Sequence, residues 1–231
     1  MLALLVATPL LAADDPLRVE RNAVAALLRG QPAAALKQLG GMKSTGTTAP
    51  ELENLRGLAL MMNGDVKGSL PFFERALPLP EARFNRAVAM LKLAKYAEAS
   101  AELEKIYGDA KSPLRASAAY HDALALDALG KSSDAITWLT RALELDPKFD
   151  SALLYTGVIR ERLGDLQAAG KAYKQFLDRH PESTVAMLRF GIAAQRAGRP
   201  EVARKYFEKV IAAVPSSAEA AEARMYLEMW E

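Results

Sequence analysis

Cysteine is absent from the 231 residues of the sequence. This absence excludes disulfide bonds, thiol catalysis, zinc sites built on cysteine and a lipid anchor attached to cysteine. There are only two histidines, His121 and His180, and no His-x-x-x-His pair exists to hold zinc on one helix face. The phosphate-binding orders G-x-x-x-x-G-K-S/T and G-x-G-x-x-G do not occur either. We therefore expect no metal and no cofactor.

The titratable residues do not indicate a catalytic site. His121 beside Asp122 is the only feature that resembles an acid–base pair. Adjacent residues on a helix point about 100° apart, so these two side chains do not face each other. We therefore predict a solvated or packed histidine at position 121 and a protein that is not an enzyme.

Neither sign of charge dominates the sequence, which has 30 basic residues, 28 acidic residues and a net charge of +2. A protein that binds nucleic acid or an acidic membrane surface carries a clear basic excess. Hydrophobic residues make up 51% and charged residues 25% of the chain, as is typical of soluble globular proteins. We therefore expect no nucleic acid among the partners.

One long apolar run occurs, at residues 1–13, and Asp14 and Asp15 follow it. The run resembles the hydrophobic region of a secretory signal, with Ala12 and Ala13 near a cleavage point, although the basic region that normally precedes it is missing. Thirteen residues are too few to span a bilayer, which takes about 20. We expect export to a bacterial periplasm without stable membrane insertion of the mature chain. The alternative is an ordinary apolar first helix in a cytoplasmic protein.

A pattern of small residues returns six times along the chain. Its first small residues are Ala23, Gly57, Ala87, Ala123, Gly157 and Gly191. A second small residue follows twelve positions later in every case, at Ala35, Ser69, Ala99, Ala135, Ala169 and Ala203. Four positions further on lies a larger residue, namely Leu39, Phe73, Leu103, Leu139, Tyr173 or Phe207. The distance between successive first small residues varies from 30 to 36, whereas the twelve-residue spacing never changes.

This spacing predicts a hairpin of two helices, A and B, whose backbones approach closely at the two small residues. Seven positions after the first small residue lies a residue that is glycine in five of the six repeats, namely Gly30, Gly64, Ala94, Gly130, Gly164 or Gly198. Glycine is well suited to end helix A because it accepts positive φ. Asp65, Ser132, Ser133 and Asp165 suit the start of helix B. Pro71 falls inside a predicted helix B and should cost that helix a hydrogen bond unless the helix begins late, near Ser69. We expect a local kink or a frayed first turn there.

The pattern resembles the tetratricopeptide repeat family over about residues 16–215, most clearly in LLYTGVIRERLGDLQAAGKAYKQFLDRHP, residues 153–181. The resemblance implies an all-α fold, a right-handed solenoid of about six helical hairpins with a C-terminal capping helix. We expect a signal region at 1–13 and the solenoid at 14–231. The predicted repeats are 16–49, 50–79, 80–115, 116–149, 150–183 and 184–215, with the cap at 216–231.

In this family the A helices line a concave groove that binds partners. The corresponding positions here are Asn54, Leu58, Met61, Met62, Phe84, Val88, Leu91, Lys92, Tyr120, Leu124, Asp127, Leu154, Val158, Glu161, Arg162, Leu188, Ile192, Gln195 and Arg196. Of these, we expect Phe84, Tyr120, Leu154 and Leu188 to be exposed, whereas Val88, Leu124, Val158 and Ile192 either face the groove or pack between A helices. Asn85 matches one position of the carboxylate clamp in chaperone-binding relatives, but the other clamp residues are missing.

The resemblance implies a non-enzymatic scaffold or adaptor that holds a partner peptide or helix in the groove. We expect this role in envelope assembly or secretion. Two alternatives stay open. One is an enzyme, or the regulatory subunit of an envelope enzyme complex, with its chemistry in the groove, which requires clustered titratable groove residues with shifted pKa values. The other is an RNA-binding helical repeat, which requires a basic stripe along the groove.

Overall fold

The computed structural model describes residues 16–40 and 49–229, so the apolar run at 1–13 lies outside it. Within these ranges the chain forms thirteen helices and no strand, which confirms the predicted all-α repeat fold. None of these helices is both long enough and apolar enough to cross a membrane. Their bounds are α1 (Pro16–Leu28), α2 (Pro32–Gly40), α3 (Ala49–Met62), α4 (Val66–Arg75), α5 (Pro80–Lys92), α6 (Tyr96–Gly108), α7 (Arg115–Ala128), α8 (Ser132–Leu145), α9 (Asp150–Arg162), α10 (Leu166–Arg179), α11 (Thr184–Arg196), α12 (Pro200–Ala213) and α13 (Ala218–Glu228).

The chain divides into two compact units, with the boundary between Trp138 and Leu139 inside α8. In unit 1, helices α1 to α7 pack each against the next, and the odd-numbered helices also pack against one another. Unit 2 repeats this arrangement in α9 to α13. Each helix thus contacts neighbours that are close in sequence, as in other repeat proteins. The odd-numbered helices α1 to α11 are the A helices of the hairpins, and the even-numbered helices are the B helices.

The turn between helices A and B has the same backbone geometry in all six hairpins. Its glycines have positive φ values, from +68° at Gly30 to +95° at Gly64, as predicted. The next residue donates a backbone hydrogen bond five residues back, for example from Asp65 to the Leu60 carbonyl at 3.0 Å. This bond closes the end of helix A. The third turn uses Ala94 at φ +58°, so an alanine there adopts a conformation that favours glycine.

Short-range signals set the ends of the B helices. The Asp65 and Asp165 carboxylates accept hydrogen bonds from the backbone N–H groups of Gly68 and Ala168, which confirms both as N-caps. The Ser132 hydroxyl instead donates to Asp127 Oδ1 at 2.9 Å. The frayed first turn expected from Pro71 is wrong, because α4 begins at Val66, ahead of Ser69, and Asp65 caps its start. The missing proline N–H falls one turn inside this capped helix.

The large residue of the repeat packs against the first small residue of its own hairpin, a contact that the sequence analysis did not predict. A Cβ atom built on Gly57 would lie 2.5 Å from Cε1 of Phe73. The corresponding distance is 2.5 Å from Gly157 to Tyr173 and 2.6 Å from Gly191 to Phe207. In these hairpins the A helix therefore holds a glycine because an aromatic ring occupies the space of a side chain.

Candidate partner-binding surface

All nineteen predicted groove residues lie on A helices, on α3, α5 and α7 in unit 1 and on α9 and α11 in unit 2. We call the positions within each unit the A-helix face of that unit. Its buried members are Asn54, Leu58, Met61, Phe84, Val88, Glu161, Leu188 and Ile192. Its half-buried members are Met62, Leu91, Tyr120, Leu124, Asp127, Leu154, Val158 and Gln195, and its exposed members are Lys92, Arg162 and Arg196. The accessible part of the face is therefore smaller than predicted.

Two of the four expected apolar anchors are not accessible, so their predicted exposure is wrong. Phe84 is fully buried, and its ring packs edge-on against His121 with the centroids 5.1 Å apart. Leu188 is 5% exposed and lies in the hydrophobic core of unit 2. Tyr120 and Leu154 remain half-buried. A partner can therefore reach one expected anchor in each unit rather than a row of four.

The inner positions of unit 1 include a buried amide pair. Asn85 Nδ2 donates to Asn54 Oδ1 at 3.0 Å, and both side chains are buried between α3 and α5. The other polar atom of this amide, Asn85 Oδ1, is also buried and has no hydrogen-bond partner within the described residues. Asn85 therefore holds two A helices together and does not point outward as a clamp residue would.

His121 is a packed histidine. Its Nδ1 atom lies 2.8 Å from the Ser117 carbonyl oxygen, and its ring stands edge-on to Phe84 and to Tyr120. Burial lowers the pKa of His121 to about 4, against the weaker opposing effect of the hydrogen bond to Ser117. The ring is therefore neutral at physiological pH and fills space between α5 and α7.

In unit 2 the buried carboxylate of Glu161 binds polar side chains at one end of the A-helix face. Glu161 Oε2 accepts a hydrogen bond from the Tyr173 hydroxyl at 2.8 Å, while Oε1 lies 3.4 Å from Arg196 Nη1 and 3.9 Å from Arg189 Nη1. The pKa of Tyr173 is raised well above its usual range, mainly by burial and to a smaller extent by the hydrogen bond to Glu161. The Arg189 and Arg196 side chains are 47% and 48% exposed, so their charges face solvent around the buried carboxylate.

Arg189 was missed by the sequence analysis. It belongs to α11, whereas Glu161 belongs to α9, and their separation in sequence does not match the repeat period. No spacing pattern could therefore have joined the two residues. Asp127 was correctly placed on α7, but its carboxylate accepts the hydrogen bond from Ser132 and caps the turn.

The second histidine lies at the end of α10. His180 Nε2 is 2.6 Å from Asp150 Oδ2, and Arg179 Nη1 is 2.7 Å from Asp150 Oδ1. The hydrogen bond to His180, with that from Arg179, lowers the pKa of Asp150. These contacts tie the end of helix B to the start of helix A in one hairpin. Within residues 16–40 and 49–229, no group of three or more acidic, histidine or cysteine residues could hold a metal ion.

Comparison with protein families decides the classification. The sequence profile of the family described as tetratricopeptide repeat matches residues 84–148, 120–184 and 188–227, which together exceed half of the chain. The chain belongs to the tetratricopeptide repeat family. A search of curated proteins found no match to this tetratricopeptide repeat protein.

Several solved structures share the fold. The crystal structure of PilW, described as a widely conserved type IV pilus biogenesis factor, aligns with a TM-score of 0.82 at 18% identity, covering 94% of this chain and 100% of PilW. Pseudomonas aeruginosa PilF aligns at 0.76 and 16% identity over 90% of this chain and 96% of its own. YrrB, described as a tetratricopeptide repeat protein with an unusual peptide-binding site, aligns at 0.62 and 20% identity over 82% and 96%. At these identities the likeness shows the tetratricopeptide repeat fold alone.

Proposed function

We propose that this protein is a non-enzymatic adaptor that holds a segment of a partner protein on its A-helix face. The observation that carries the proposal is the arrangement on α9. Leu154, Val158 and Arg162 follow one another at helical spacing, so half-buried aliphatic side chains lead to an exposed guanidinium group. The Arg189 and Arg196 side chains lie close to the same end, around Glu161. An apolar strip with a charged end suits an amphipathic helix or an extended apolar peptide.

We further propose that the adaptor works in assembly of the bacterial cell envelope. The apolar run at 1–13 supports export to the periplasm. The likeness of its fold to PilW supports a role of this kind, because PilW is described as a type IV pilus biogenesis factor. Mass spectrometry of the protein from its native cell tests export, and we expect a mature N-terminus at Asp14 or within a few residues. An intact Met1 in a cytosolic fraction would contradict it.

Glutamate substitution of the two accessible anchors tests the adaptor proposal. Tyr120→Glu and Leu154→Glu should lower partner capture by about tenfold or more, equivalent to about 1.4 kcal/mol, in a pull-down from the native cell. Their folds should persist, because both side chains are half-buried. Leu163→Glu is the matched control, since Leu163 is 52% exposed in the turn after α9 and lies off the A-helix face. Folded Tyr120 and Leu154 variants that capture the partner as well as this control would refute the proposal.

The buried anchors provide a second contrast. Phe84→Glu and Leu188→Glu place an unpaired charge in the core, so both should unfold their unit and lose binding together with the melting transition. Loss of binding by Leu154→Glu with an unchanged melting curve therefore separates loss of a contact from loss of the fold.

A further inference from the structure

Unit 2 has an open apolar cleft that does not belong to the A-helix face. It lies between α10 and the start of α12, and α11 forms its floor. Its volume is about 510 Å³, within the range of about 300–1,000 Å³ that is usual for ligand sites. The floor consists of Phe190, Ala193, Ala194 and Ala197, which share one side of α11.

The cleft floor and the A-helix face use opposite sides of α11. At 3.6 residues per turn, Phe190, Ala194 and Ala197 point about 160° away from Leu188 and Ile192. A partner on the A-helix face therefore does not cover the cleft. The cleft is a separate surface that the proposed groove function leaves unused.

Small residues keep the cleft open, and an aromatic pair makes its floor rigid. A Cβ atom built on Gly170 of α10 would lie 3.6 Å from Cε2 of Phe190, so the glycine leaves room without being required by a clash. The Phe190 ring packs edge-on against Tyr206, with the centroids 4.6 Å apart. Val202 stands on the wall with 37% of its surface exposed. The floor is thus formed before any partner arrives, which lowers the entropic cost of binding.

The mouth of the cleft is basic. Lys171, Lys174 and Arg199 line it, and no acidic residue does. Arg199 Nη2 donates to Gln167 Oε1 at 2.9 Å, and this amide is neutral, so the bond does not compensate the positive charge. Lys174 pairs with Asp178 on the next turn of α10, so the local excess comes mainly from Lys171 and Arg199. Such a field attracts carboxylates and repels cationic segments.

We propose that this cleft is a second docking site, for an acidic segment of a partner protein that inserts one large apolar side chain between neighbouring carboxylates. The apolar side chain covers the floor, where its burial contributes about 25 cal/mol per Å² of apolar surface. The flanking carboxylates meet Lys171 and Arg199. The site lies on the B-helix side of unit 2 and does not depend on partner binding to the A-helix face.

Two blocked hexapeptides test the proposal, both with a central Leu-Phe pair, one flanked by four glutamates and the other by four lysines. In amide NMR spectra of the full-length protein, the glutamate peptide should shift resonances of Ala193, Ala197 and Val202. We expect a dissociation constant on the order of 0.1–1 mM, as for a short peptide with few contacts. The absence of shifts at the cleft, or equal shifts with the lysine peptide, would overturn the proposal.

Variants sharpen this test. Lys171→Glu reverses a charge at the mouth, and Gly170→Leu fills the space above Phe190, so each should weaken the glutamate peptide at least fivefold. Lys205→Glu makes the same charge change at an exposed site of α12 that does not line the cleft, and should keep the affinity within twofold. Equal losses in Lys171→Glu and Lys205→Glu would contradict a specific site.

Two further measurements separate the cleft from other surfaces. Leu154→Glu on the A-helix face should leave peptide binding unchanged, so failure of the groove proposal and failure of the cleft proposal are distinguishable. Vesicles that contain phosphatidylglycerol give the other control. If Lys171→Glu abolishes vesicle binding while the glutamate peptide leaves the cleft resonances unmoved, the cleft recognises lipid and the proposal is wrong.

Discussion

Gly57 and Phe73 lie sixteen positions apart in one hairpin, and the Phe73 ring occupies the place of a Gly57 side chain, 2.5 Å from a Cβ built there. The identities at these two positions vary together through the six repeats. Glycine is matched with an aromatic residue in the pairs 57/73, 157/173 and 191/207, and alanine is matched with leucine in the pairs 23/39, 87/103 and 123/139. A larger residue on helix B thus accompanies a smaller one on helix A. In the three glycine pairs, the aromatic ring occupies the space of the missing side chain, which explains why glycine and an aromatic residue occur together.

Alanine at position 57 should destabilise unit 1. The new methyl group would overlap the Phe73 ring, which is fully buried and cannot move away, so we expect a loss of about 1–3 kcal/mol. Gly170→Ala is the control, because the nearest atom to its Cβ is 3.6 Å away and alanine favours a helix by about 1 kcal/mol over glycine. Urea denaturation of both variants measures the difference.

The compensation predicts coupling between the two positions. Phe73→Leu alone leaves a cavity, whereas Gly57→Ala with Phe73→Leu reproduces the pair found at 87/103. The double variant should therefore be more stable than the sum of the two single losses predicts, by about 1 kcal/mol or more. Additive losses would show that the matching is unrelated to packing.

Replacing Ala94 with glycine should stabilise unit 1. Ala94 has φ +58°, where an L side chain costs about 1–2 kcal/mol, and part of that gain is offset by the greater freedom of glycine in the unfolded chain. We expect a net gain of about 0.5–1 kcal/mol in urea denaturation. Ala101→Gly, at an exposed position inside α6, should lose roughly 1 kcal/mol. A loss at both positions would argue against strain at Ala94.

Tyr173→Phe should cost about 1–2 kcal/mol, because the buried Glu161 carboxylate loses the hydrogen bond that the Tyr173 hydroxyl donates to it. The ring itself fits, since Phe73 and Phe207 occupy the equivalent position. The reciprocal change tests the same geometry in the next repeat. There Gln195 corresponds to Glu161, and its Oε1 is buried without a hydrogen-bond partner in the described part of the chain. Phe207→Tyr should supply the donor and raise stability by about 1 kcal/mol in thermal or urea unfolding.

Unit 1 should lose stability in mild acid through His121. The pKa of His121 is about 4 in the folded protein and 6.5 in the unfolded chain, so the unfolded chain binds the proton first as pH falls. Its contribution is complete above pH 6.5 and declines towards pH 4, by on the order of 2–3 kcal/mol. His121→Gln should show a flatter profile over this range. Carboxylates titrate in both proteins, so the difference between the two profiles isolates the histidine.

The hairpins were predictable because their signals are local. The fixed twelve-residue spacing, the turn glycines and the N-caps Asp65 and Asp165 all act within one hairpin, and the structure confirms the turn glycines and both N-caps. The frayed first turn expected from Pro71 is absent because the capped start of α4 holds the helix ahead of the missing N–H. The low helix propensity of this one proline was outweighed by the rest of the helix.

Exposure on the A-helix face could not be predicted in the same way. Phe84 and Leu154 occupy equivalent repeat positions, yet one is buried and the other is half-buried. The difference depends on the residue that the next A helix brings to the contact, and for Phe84 that residue is His121. The cleft on α11 was not predicted because it is formed by small residues that belong to two different helices. Small side chains leave no periodic apolar signal.

The matching of glycine with aromatic rings and of alanine with leucine has a consequence for recombination between genes of this family. A crossover at the turn between helices A and B can join a glycine to a leucine, which leaves a hole, or an alanine to an aromatic ring, which clashes. A crossover between hairpins, for example between Leu145 and Asp150, moves each pair intact. Viable hybrids should therefore inherit whole hairpins, so the hairpin is the smallest exchangeable module of this chain.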